Sequence, residues 1–271
     1  KGKRGAVYEG YTVKLEGGEE MNIYPSVDIK GEKCVRLAQG DFAKETVYLE
    51  NPVDAAKMWE SQGAKWIHVV DLDGAKSGVP GNFDVICDIR KAVSANIQVG
   101  GGIRNISTVK DYLCLGINRV IFGSSAIADL TLIRETIDKF GTDKVAVGID
   151  VRHNQVAIEG WTKSSGVTLE TALRQLRDIG VETIIYTDIS RDGMMKGPNF
   201  SGIEKVLSFG DFSVIASGGI ASLKDLEQLA LYEQKGLEGA IIGKALYSGA
   251  LNLEVILKLF NTHVDGSSEN G

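Results

Sequence analysis

The chain repeats itself at a displacement of 117 residues, and this repeat restricts the possible architectures more than any other feature of the sequence. The same displacement relates several short segments, namely Ile97–Ile103 with Val214–Ile220, Asp71 with Asp188, and Asn82-Phe83 with Asn199-Phe200. With small gaps, Asp28 aligns with Asp150 and Gly123 aligns with Gly243. Matches of this kind at corresponding strand ends indicate a half-barrel that was duplicated and joined.

Short apolar runs alternate with helical stretches through most of the chain. The predicted strands are 22–28, 66–71, 96–100, 119–123, 145–150, 183–188, 213–217 and 239–243. The predicted helices are 52–62, 82–94, 106–115, 129–139, 168–179, 200–208, 222–232 and 249–260. Continuous apolar strands followed by helices indicate a parallel sheet that is covered on its outer face. Eight such units fit a closed (β/α)8 barrel of the triose-isomerase type, with an open doubly wound sheet as the structural alternative.

The ends of the chain differ in composition from the part between them. Residues 1–20 mix charges with glycines, and we expect them to be a leader, a tag or a fusion remnant. Residues 21–260 are predicted to form one catalytic barrel domain. The tail 261–271 ends in small and polar residues and is predicted to be flexible.

Charge and cysteine content exclude several classes of protein. A net charge of −6, without a basic cluster beyond Lys1–Arg4, argues against a nucleic-acid partner. No run approaches the roughly 18 apolar residues of a membrane span. The cysteines Cys34, Cys87 and Cys114 show no CxxC pairing, and three scattered histidines make no metal site. We therefore expect a cytoplasmic monomer without metal, in which all three cysteines are buried.

Glycine-rich turns follow four of the predicted strands. They are Gly100-Gly101-Gly102, Gly123-Ser124-Ser125, Ser217-Gly218-Gly219 and Gly243-Lys244. Glycine lets the backbone approach an anion, and N–H groups at the start of the next helix can bind it. One such motif alone indicates a tight turn more often than a ligand site. Four motifs paired by the repeat predict two phosphate cradles on opposite sides of the barrel mouth.

Aspartates follow the strands that carry no glycine turn. Asp28 is predicted to end strand one and Asp150 to end strand five, while Asp188 and Asp192 lie in and after strand six. Burying an unpaired carboxylate is costly, so these side chains are not routine core. Helix capping or a local ion pair is the structural alternative. We favour chemistry for Asp28 and Asp192, and loop fixation for Asp71 and Asp188.

Five further side chains are candidates for the same mouth. Trp161 fills the core or stacks on a planar heterocycle, and Thr187 can steady a carboxylate. Arg36 and Arg104 can reach a phosphate or an amide group, although Arg104 is almost as well suited to a surface ion pair. Lys244 follows a cradle glycine, which favours phosphate contact over Schiff-base chemistry.

Several motifs, in order, resemble the phosphoribosylformimino-aminoimidazole carboxamide ribotide isomerases of histidine biosynthesis. The resemblance spans about residues 21–260 and rests on 25–28 (PSVD), 35–41 (VRLAQGD), 98–104 (QVGGGIR), 160–161 (GW), 186–193 (YTDISRDG), 197–199 (GPN), 216–220 (ASGGI) and 242–245 (IGKA). The resemblance implies a cofactor-free Amadori rearrangement of an aminoaldose that carries two phosphates. By position, Asp28 matches the family's base, and Asp192 and Asp150 both match aspartates given the acid role. Met194-Met195 departs from the family, which often has threonine there.

Three other functions remain open at this point. The cyclase of the same pathway shares the repeat, but it needs a glutaminase partner and has Lys-Gly where this chain has Arg36–Gly40. An isomerase that also accepts phosphoribosylanthranilate is a second possibility. A phosphate-binding sensor on a catalytically retired barrel is the third, and the presence of Asp28 and Asp192 argues against it.

Overall fold

Eight parallel strands close into a barrel, as the repeat predicts. The computed structural model describes residues 3–8, 11–16, 21–123, 125–158, 160–161 and 163–260. Two strands, β1 (Lys3–Tyr8) and β2 (Tyr11–Glu16), pair antiparallel in a sheet of their own. The barrel strands are β3 (Asn22–Lys30), β6 (Trp66–Asp71), β7 (Asn96–Gly100), β8 (Arg119–Phe122), β9 (Val145–Arg152), β12 (Thr183–Asp188), β13 (Ser213–Ser217) and β14 (Leu237–Ile242). Parallel pairing of β14 with β3, Ile241 opposite Tyr24, closes the ring.

Helices follow the strands and cover the barrel. They are α1 (Pro52–Ser61), α2 (Leu72–Ser77), α3 (Phe83–Ala92), α4 (Ile106–Cys114), α5 (Ser125–Ala128), α6 (Leu130–Phe140), α7 (Leu169–Asp178), α8 (Phe200–Leu207), α9 (Leu223–Ala230), α10 (Lys244–Tyr247) and α11 (Leu253–Phe260). Short 3-10 turns lie at Thr142–Lys144 and Glu233–Lys235. None of the helices in the described ranges is long and apolar enough to cross a membrane.

Local sequence explains where these helices begin. The Asn51 side chain accepts a hydrogen bond from the Val53 backbone at 3.0 Å, and Pro52 supplies the fixed φ that suits a first helical residue. At α9, Ser222 and Asp225 form a reciprocal capping box. Each cap pairs backbone N–H groups that the helix itself leaves free, so the helices start directly after their loops.

The strands present different residues to the two sides of the barrel wall. Ile67 and Val69 are fully buried in the layer between strands and helices. Inside the ring, a separate apolar cluster contains Tyr24, Ile121, Ala146, Ile185, Ile215 and Ile241. Burying one such isoleucine contributes about 2 kcal/mol. Since this cluster fills the barrel interior, a ligand can enter only above it.

Two β-hairpins extend the barrel where no strands were predicted. The first, β4 (Lys33–Ala38) with β5 (Asp41–Leu49), follows β3, and the second, β10 (Gln155–Ile158) with β11 (Lys163–Thr168), follows β9. Pairing with these hairpins carries β3 to Lys30 and β9 to Arg152. Asp28 and Asp150 therefore lie two residues before the strand ends, and the prediction that they end their strands was wrong.

Two smaller predictions were also wrong. The predicted helix 249–260 begins four residues later, at Leu253, because Gly249 has a non-helical φ of +73° and the Asn252 side chain accepts a hydrogen bond from the Val255 backbone at the start of α11. Cys34 is buried as expected, but Cys87 is only partly buried and Cys114 is exposed. The helix α2 was not predicted. The tail 261–271 and parts of 1–20 lie outside the described residues.

Candidate active site

A cleft of about 220 Å³ opens at the carboxyl ends of the barrel strands. A smaller cavity of about 20 Å³ adjoins it. Four residues line both, namely Arg36, Asp192, Ser217 and Ile241. In barrels of this type the carboxyl ends of the strands are where active sites form. The two cavities are therefore parts of one candidate active site.

Fifteen of the sixteen predicted site residues line these two cavities. The main cleft includes Asp28, Arg36, Gly101, Gly102, Arg104, Gly123, Ser125, Asp150, Trp161, Thr187 and Asp192. The smaller cavity adds Gly218, Gly219, Gly243 and Lys244. Ser124 lies outside the described residues. The structure thus brings the predicted residues together, while their individual roles stay predictions.

Asp28 is paired with Arg36 in the cleft wall. Nη1 of Arg36 lies 2.6 Å from Oδ2 of Asp28, and the same atom donates to the Ser26 hydroxyl. The two charged side chains are only 11% and 14% exposed. Burial raises the pKa of Asp28, and the neighbouring Arg36 charge and the Ser26 hydrogen bond oppose that rise. Asp28 is therefore a carboxyl group whose proton affinity depends on its arginine partner.

Asp150 is held by two hydrogen-bond donors. Nε1 of Trp161 donates to its Oδ2 at 2.7 Å, and the Thr187 hydroxyl forms a second hydrogen bond with the carboxyl group. Burial raises the pKa of Asp150, and both donors oppose that rise. Thr187 thus contacts a carboxyl group, and its role in supporting that group stays a prediction. Trp161 lines the cleft and also fixes Asp150, a contact that the sequence did not predict.

Asp192 lies in the turn after β12 and lines the same cleft as the other two acids. The pKa of Asp192 is raised to about 6, chiefly by burial; the Arg36 charge opposes this rise, and the charges of Asp28 and Asp150 contribute to it. Three carboxyl groups that influence one another in this way cannot all be ionised at low cost. At neutral pH the cleft can hold both an ionised carboxylate and a carboxyl group close to its pKa.

The glycine turns have the same geometry in both halves. Gly101 and Gly102 have φ of +106° and +76°, and Gly218 and Gly219 have φ of +88° and +86°. Any larger side chain would be strained at these positions, and at Gly101 and Gly219 it would also overlap a neighbouring backbone. Both turns border the candidate site, so the structure is compatible with turn formation and with anion binding.

The Arg36 side chain lies between Asp28 and the glycine turn at Gly243-Lys244. A methyl group at Gly243 would overlap the Arg36 guanidinium, which explains why glycine is needed there. Among the described residues, no hydrogen-bond partner meets the buried Nε of Arg36. A buried N–H without a partner is costly, so the position of Arg36 beside Asp28 carries a local cost in free energy.

The remaining basic candidates lie at the edges of the site. Nζ of Lys244 donates to the Gly193 carbonyl at 2.9 Å, which ties the smaller cavity to the loop of Asp192. Arg104 is exposed at the rim, with its guanidinium over Gly78. Within the described ranges it pairs with no carboxylate, so the surface ion pair, which was the alternative to phosphate contact, does not form there.

Asp71 and Asp188 fix loops, as expected. Asp71 accepts hydrogen bonds from the Gly74, Gly81 and Asn82 backbones, and the Asn82 side chain donates to it at 2.7 Å. In the second half, the Asn199 side chain donates to Asp188 at 2.6 Å. The same aspartate–asparagine pair thus holds the loop after the second strand of each half.

One residue in the cleft was missed by the sequence analysis. His68, on β6, lines the cleft beside Ser26, and its Nδ1 lies 3.0 Å from Nε2 of Gln98. Burial, followed by the charges of Arg36 and Arg119, lowers the pKa of His68 to about 3. Its position on alternate residues with Trp66 and Val70 was the available signal, because alternate residues of a barrel strand face inward.

Fold and site together define a duplicated (β/α)8 barrel with an acidic cleft bordered by paired glycine turns. The sequence profile of the family described as histidine biosynthesis protein matches residues 22–252, and the chain belongs to this family. Its relatives include proteins named 1-(5-phosphoribosyl)-5-((5-phosphoribosylamino)methylideneamino) imidazole-4-carboxamide isomerase.

Three of these relatives illustrate the extent of the similarity. The protein from Oceanobacillus iheyensis is 48% identical over 238 residues, which cover 88% of this chain and 98% of the relative. The Halothermothrix orenii protein is 48% identical over 87% of this chain and 98% of its own length. The Chloroflexus aurantiacus protein is 49% identical over 86% and 95%, respectively. All three are isomerases by name, and so this chain is an enzyme of the isomerase class.

Proposed function

We propose that this chain acts on the compound that appears in the names of its relatives. It would convert this aminoaldose to the corresponding aminoketose by an Amadori rearrangement in histidine biosynthesis. The observation that carries the proposal is the position of Asp28, Asp150 and Asp192 in one cleft, with glycine turns from both halves around it. The relatives' name contains two phosphoribosyl groups. A substrate with a phosphate at each end fits a site with two such turns.

Phosphate binding would position the sugar between the acids. The turn at Gly101-Gly102 would hold one phosphate, and the turn at Gly218-Gly219 with Lys244 would hold the other. Binding energy from these distant groups orients the reacting ribose, which lowers the entropic part of the barrier. Arg36 lines both cavities, which places its side chain next to a substrate that spans them.

The first chemical step needs a protonated acid. In the proposal, the Asp192 carboxyl donates its proton to the ring oxygen of the ribose, the bond from that oxygen to C1 breaks, and a protonated Schiff base forms between C1 and nitrogen. A carboxyl group with a pKa of about 6 retains enough proton near neutral pH for this task. Asp150 is the alternative acid, but it already accepts a hydrogen bond from Trp161, which favours its ionised form.

The second step needs a base on the same sugar. Asp28, whose ionised form is favoured by Arg36 at 2.6 Å, removes the proton from C2. The electron pair of that C–H bond forms the C1–C2 double bond, and the Schiff-base nitrogen becomes neutral. The enolamine then loses its hydroxyl proton and gains a proton at C1, which yields the ketose.

Replacement of the base tests the proposal. Asp28→Asn should lower kcat by about 10²-fold or more, since general-base catalysis is lost while both glycine turns remain. The measurement is turnover of the aminoaldose followed by absorbance, with binding of the substrate measured separately by calorimetry. Asp111→Asn is the matched control, because Asp111 is exposed on α4 and should keep wild-type turnover. Wild-type kcat in Asp28→Asn would refute the assignment.

A further inference from the structure

A chain of polar side chains lies inside the barrel below the cleft and ends at His68. It contains Glu238, Tyr24, Arg119, Gln98 and His68, which come from five different strands. The proposed proton transfers use none of these groups. Buried polar networks are costly unless every member is satisfied, so this one calls for a physical account.

The network fixes the position of Arg119 first. Its Nη2 donates to Oε1 of Glu238 and to the Tyr24 hydroxyl, both at 3.0 Å. The guanidinium also lies over the Trp66 ring, 4.8 Å from the ring centroid. These contacts hold it so that Nε donates to Oε1 of Gln98 at 3.1 Å.

The orientation of the Gln98 amide follows from the chemistry of arginine. A guanidinium can only donate hydrogen bonds, so the atom of Gln98 that faces Arg119 must be the amide oxygen. The amide nitrogen then faces His68, where it lies 3.0 Å from Nδ1. An amide NH2 group also only donates, and therefore Nδ1 must be an acceptor without a proton.

This leaves one protonation state for His68. A neutral imidazole carries one proton, and with Nδ1 accepting, the proton is on Nε2. The doubly protonated ring would place two N–H groups against each other at Gln98. Among the residues that the structure describes, Nε2 donates to no protein acceptor, while the partly exposed ring lines the cleft.

We propose that Gln98 and Arg119 are positioning residues that keep His68 neutral with its proton on Nε2, so that the cleft floor presents a fixed hydrogen-bond donor to a ligand oxygen. His68 is then neither an acid nor a base in the reaction. It leaves proton transfer to the three aspartates. The assignment of that oxygen to the sugar-phosphate substrate rests on the proposed function, whereas the protonation state does not.

The charges around His68 also favour its neutral form. Arg119 and Arg36 are the two charged groups that lower its proton affinity, in addition to its burial. Both are themselves paired, with Glu238 and Asp28 respectively. Replacing the amide of Gln98 by a carboxylate would change the group that meets Nδ1 from a donor to an acceptor with almost no change in shape.

Nitrogen NMR of the ligand-free protein tests this directly. The chain has only three histidines, and the signals of His68 are those lost in a His68→Asn variant. In the wild type, His68 should show a protonated Nε2 and an unprotonated Nδ1 throughout pH 5 to 9. A protonated Nδ1, or a titration of His68 within that range, would overturn the proposal.

Two variants extend the test to the positioning residues. Gln98→Glu should let His68 gain a proton at Nδ1 and titrate within the measured range, and it should lower kcat about tenfold or more. Gln98→Met, which removes the donor without adding a charge, should give a mixture of both neutral forms. Unchanged His68 signals in both variants would refute a role for Gln98.

A matched control separates the effect of Gln98→Glu at His68 from a general effect of added negative charge. Gln175→Glu makes the same chemical change at an exposed position of α7, and it should leave His68 signals and kcat at wild-type values. The NMR needs no substrate. An absence of turnover in the wild type would therefore count against the proposed function and would leave the protonation state of His68 established.

Discussion

Asp192 shows how a single residue of the site can oppose folding. The folded state raises its pKa from 3.8 to about 6, chiefly by burial. Between these two pH values the folded chain holds a proton that the unfolded chain has released. The contribution of Asp192 to stability is therefore greatest below pH 3.8 and is lost as the pH rises through 6.

Asp192→Asn should consequently stabilise the protein above pH 6. The gain in free energy of unfolding should approach about 3 kcal/mol at pH 8 and vanish below pH 4, because the asparagine has no proton to lose. Urea unfolding at several pH values measures it, with Asp111→Asn as the control for the same substitution at an exposed position, which should change the free energy of unfolding by less than about 0.5 kcal/mol. A gain that grew towards acid pH would contradict the pKa assignment.

The residues of the site differ in how far the sequence could predict them. Glycine turns and acids after strands were found because their position in the repeat is a property of the chain itself. His68 was missed because its significance depends on Gln98 and Arg119, which lie 30 and 51 positions further along and meet it only in the closed barrel. Likewise, no local pattern pairs Trp161 with Asp150.

At the scale of elements, the first hairpin connects two segments at the barrel mouth, the turn of Asp192 and the segment of Trp161. Its turn residue Gln39 donates through its backbone to the Asp192 carbonyl at 3.3 Å and through its side chain to the Ser190 carbonyl at 3.1 Å. Gly40, at φ +71°, lies against the Trp161 ring. The hairpin therefore contacts both the Asp192 loop and the tryptophan that holds Asp150.

Gly40→Ala should disturb the site more than it destabilises the barrel. A methyl group would overlap the Trp161 ring, so the ring must move and its hydrogen bond to Asp150 should be lost. We expect kcat to fall about tenfold or more, with a stability cost of about 1 kcal/mol from the positive φ. Steady-state kinetics and thermal unfolding measure the two effects.

Gly31→Ala, in the neighbouring turn between β3 and β4, is the control for backbone strain. Gly31 also has positive φ, +54°, but a methyl group there would meet no atom within 4 Å. It should lose similar stability and keep its activity. Equal kinetic losses in the two variants would show that strain, and not the Trp161 contact, is the cause.

The hairpins also show where element prediction from this sequence reached its limit. The barrel strands were predicted because each is a continuous apolar run. In contrast, β11 is largely polar and exposed, and β5 mixes charged with apolar residues, so neither is a continuous apolar run. The turns at Gly31-Glu32, between β3 and β4, and at His153-Asn154, between β9 and β10, have positive φ at both residues, as two-residue hairpin turns require.

At the scale of the whole molecule, the duplication survives in contacts as well as in sequence. The pairs Asp71–Asn82 and Asp188–Asn199 are related by the displacement of 117 residues and form the same hydrogen bond. The symmetry is broken where the chemistry is proposed. The position that corresponds to Asp192 is Ala75, which also lines the cleft, so only one half supplies the third acid.

The two halves are joined inside the barrel by a buried ion pair. Arg119 lies on β8 and Glu238 on β14, the last strand of each half, and their charged atoms are 3.0 Å apart. Arg119 is 6% exposed and Glu238 is 21% exposed. Removing the carboxylate would leave the more deeply buried arginine without its counter-charge. Removal of one partner in this way costs more than replacement of both partners by apolar residues.

Glu238→Gln should therefore lower the free energy of unfolding by about 3 kcal/mol. The double variant Arg119→Met with Glu238→Leu should lose less than this, since no charge is then left unpaired. For comparison, Asp88→Asn removes one partner of an exposed pair with Lys91 and should cost less than about 1 kcal/mol. Denaturant unfolding of the four proteins measures these differences. If Glu238→Gln cost no more than Asp88→Asn, the ion pair would not be what joins the two halves.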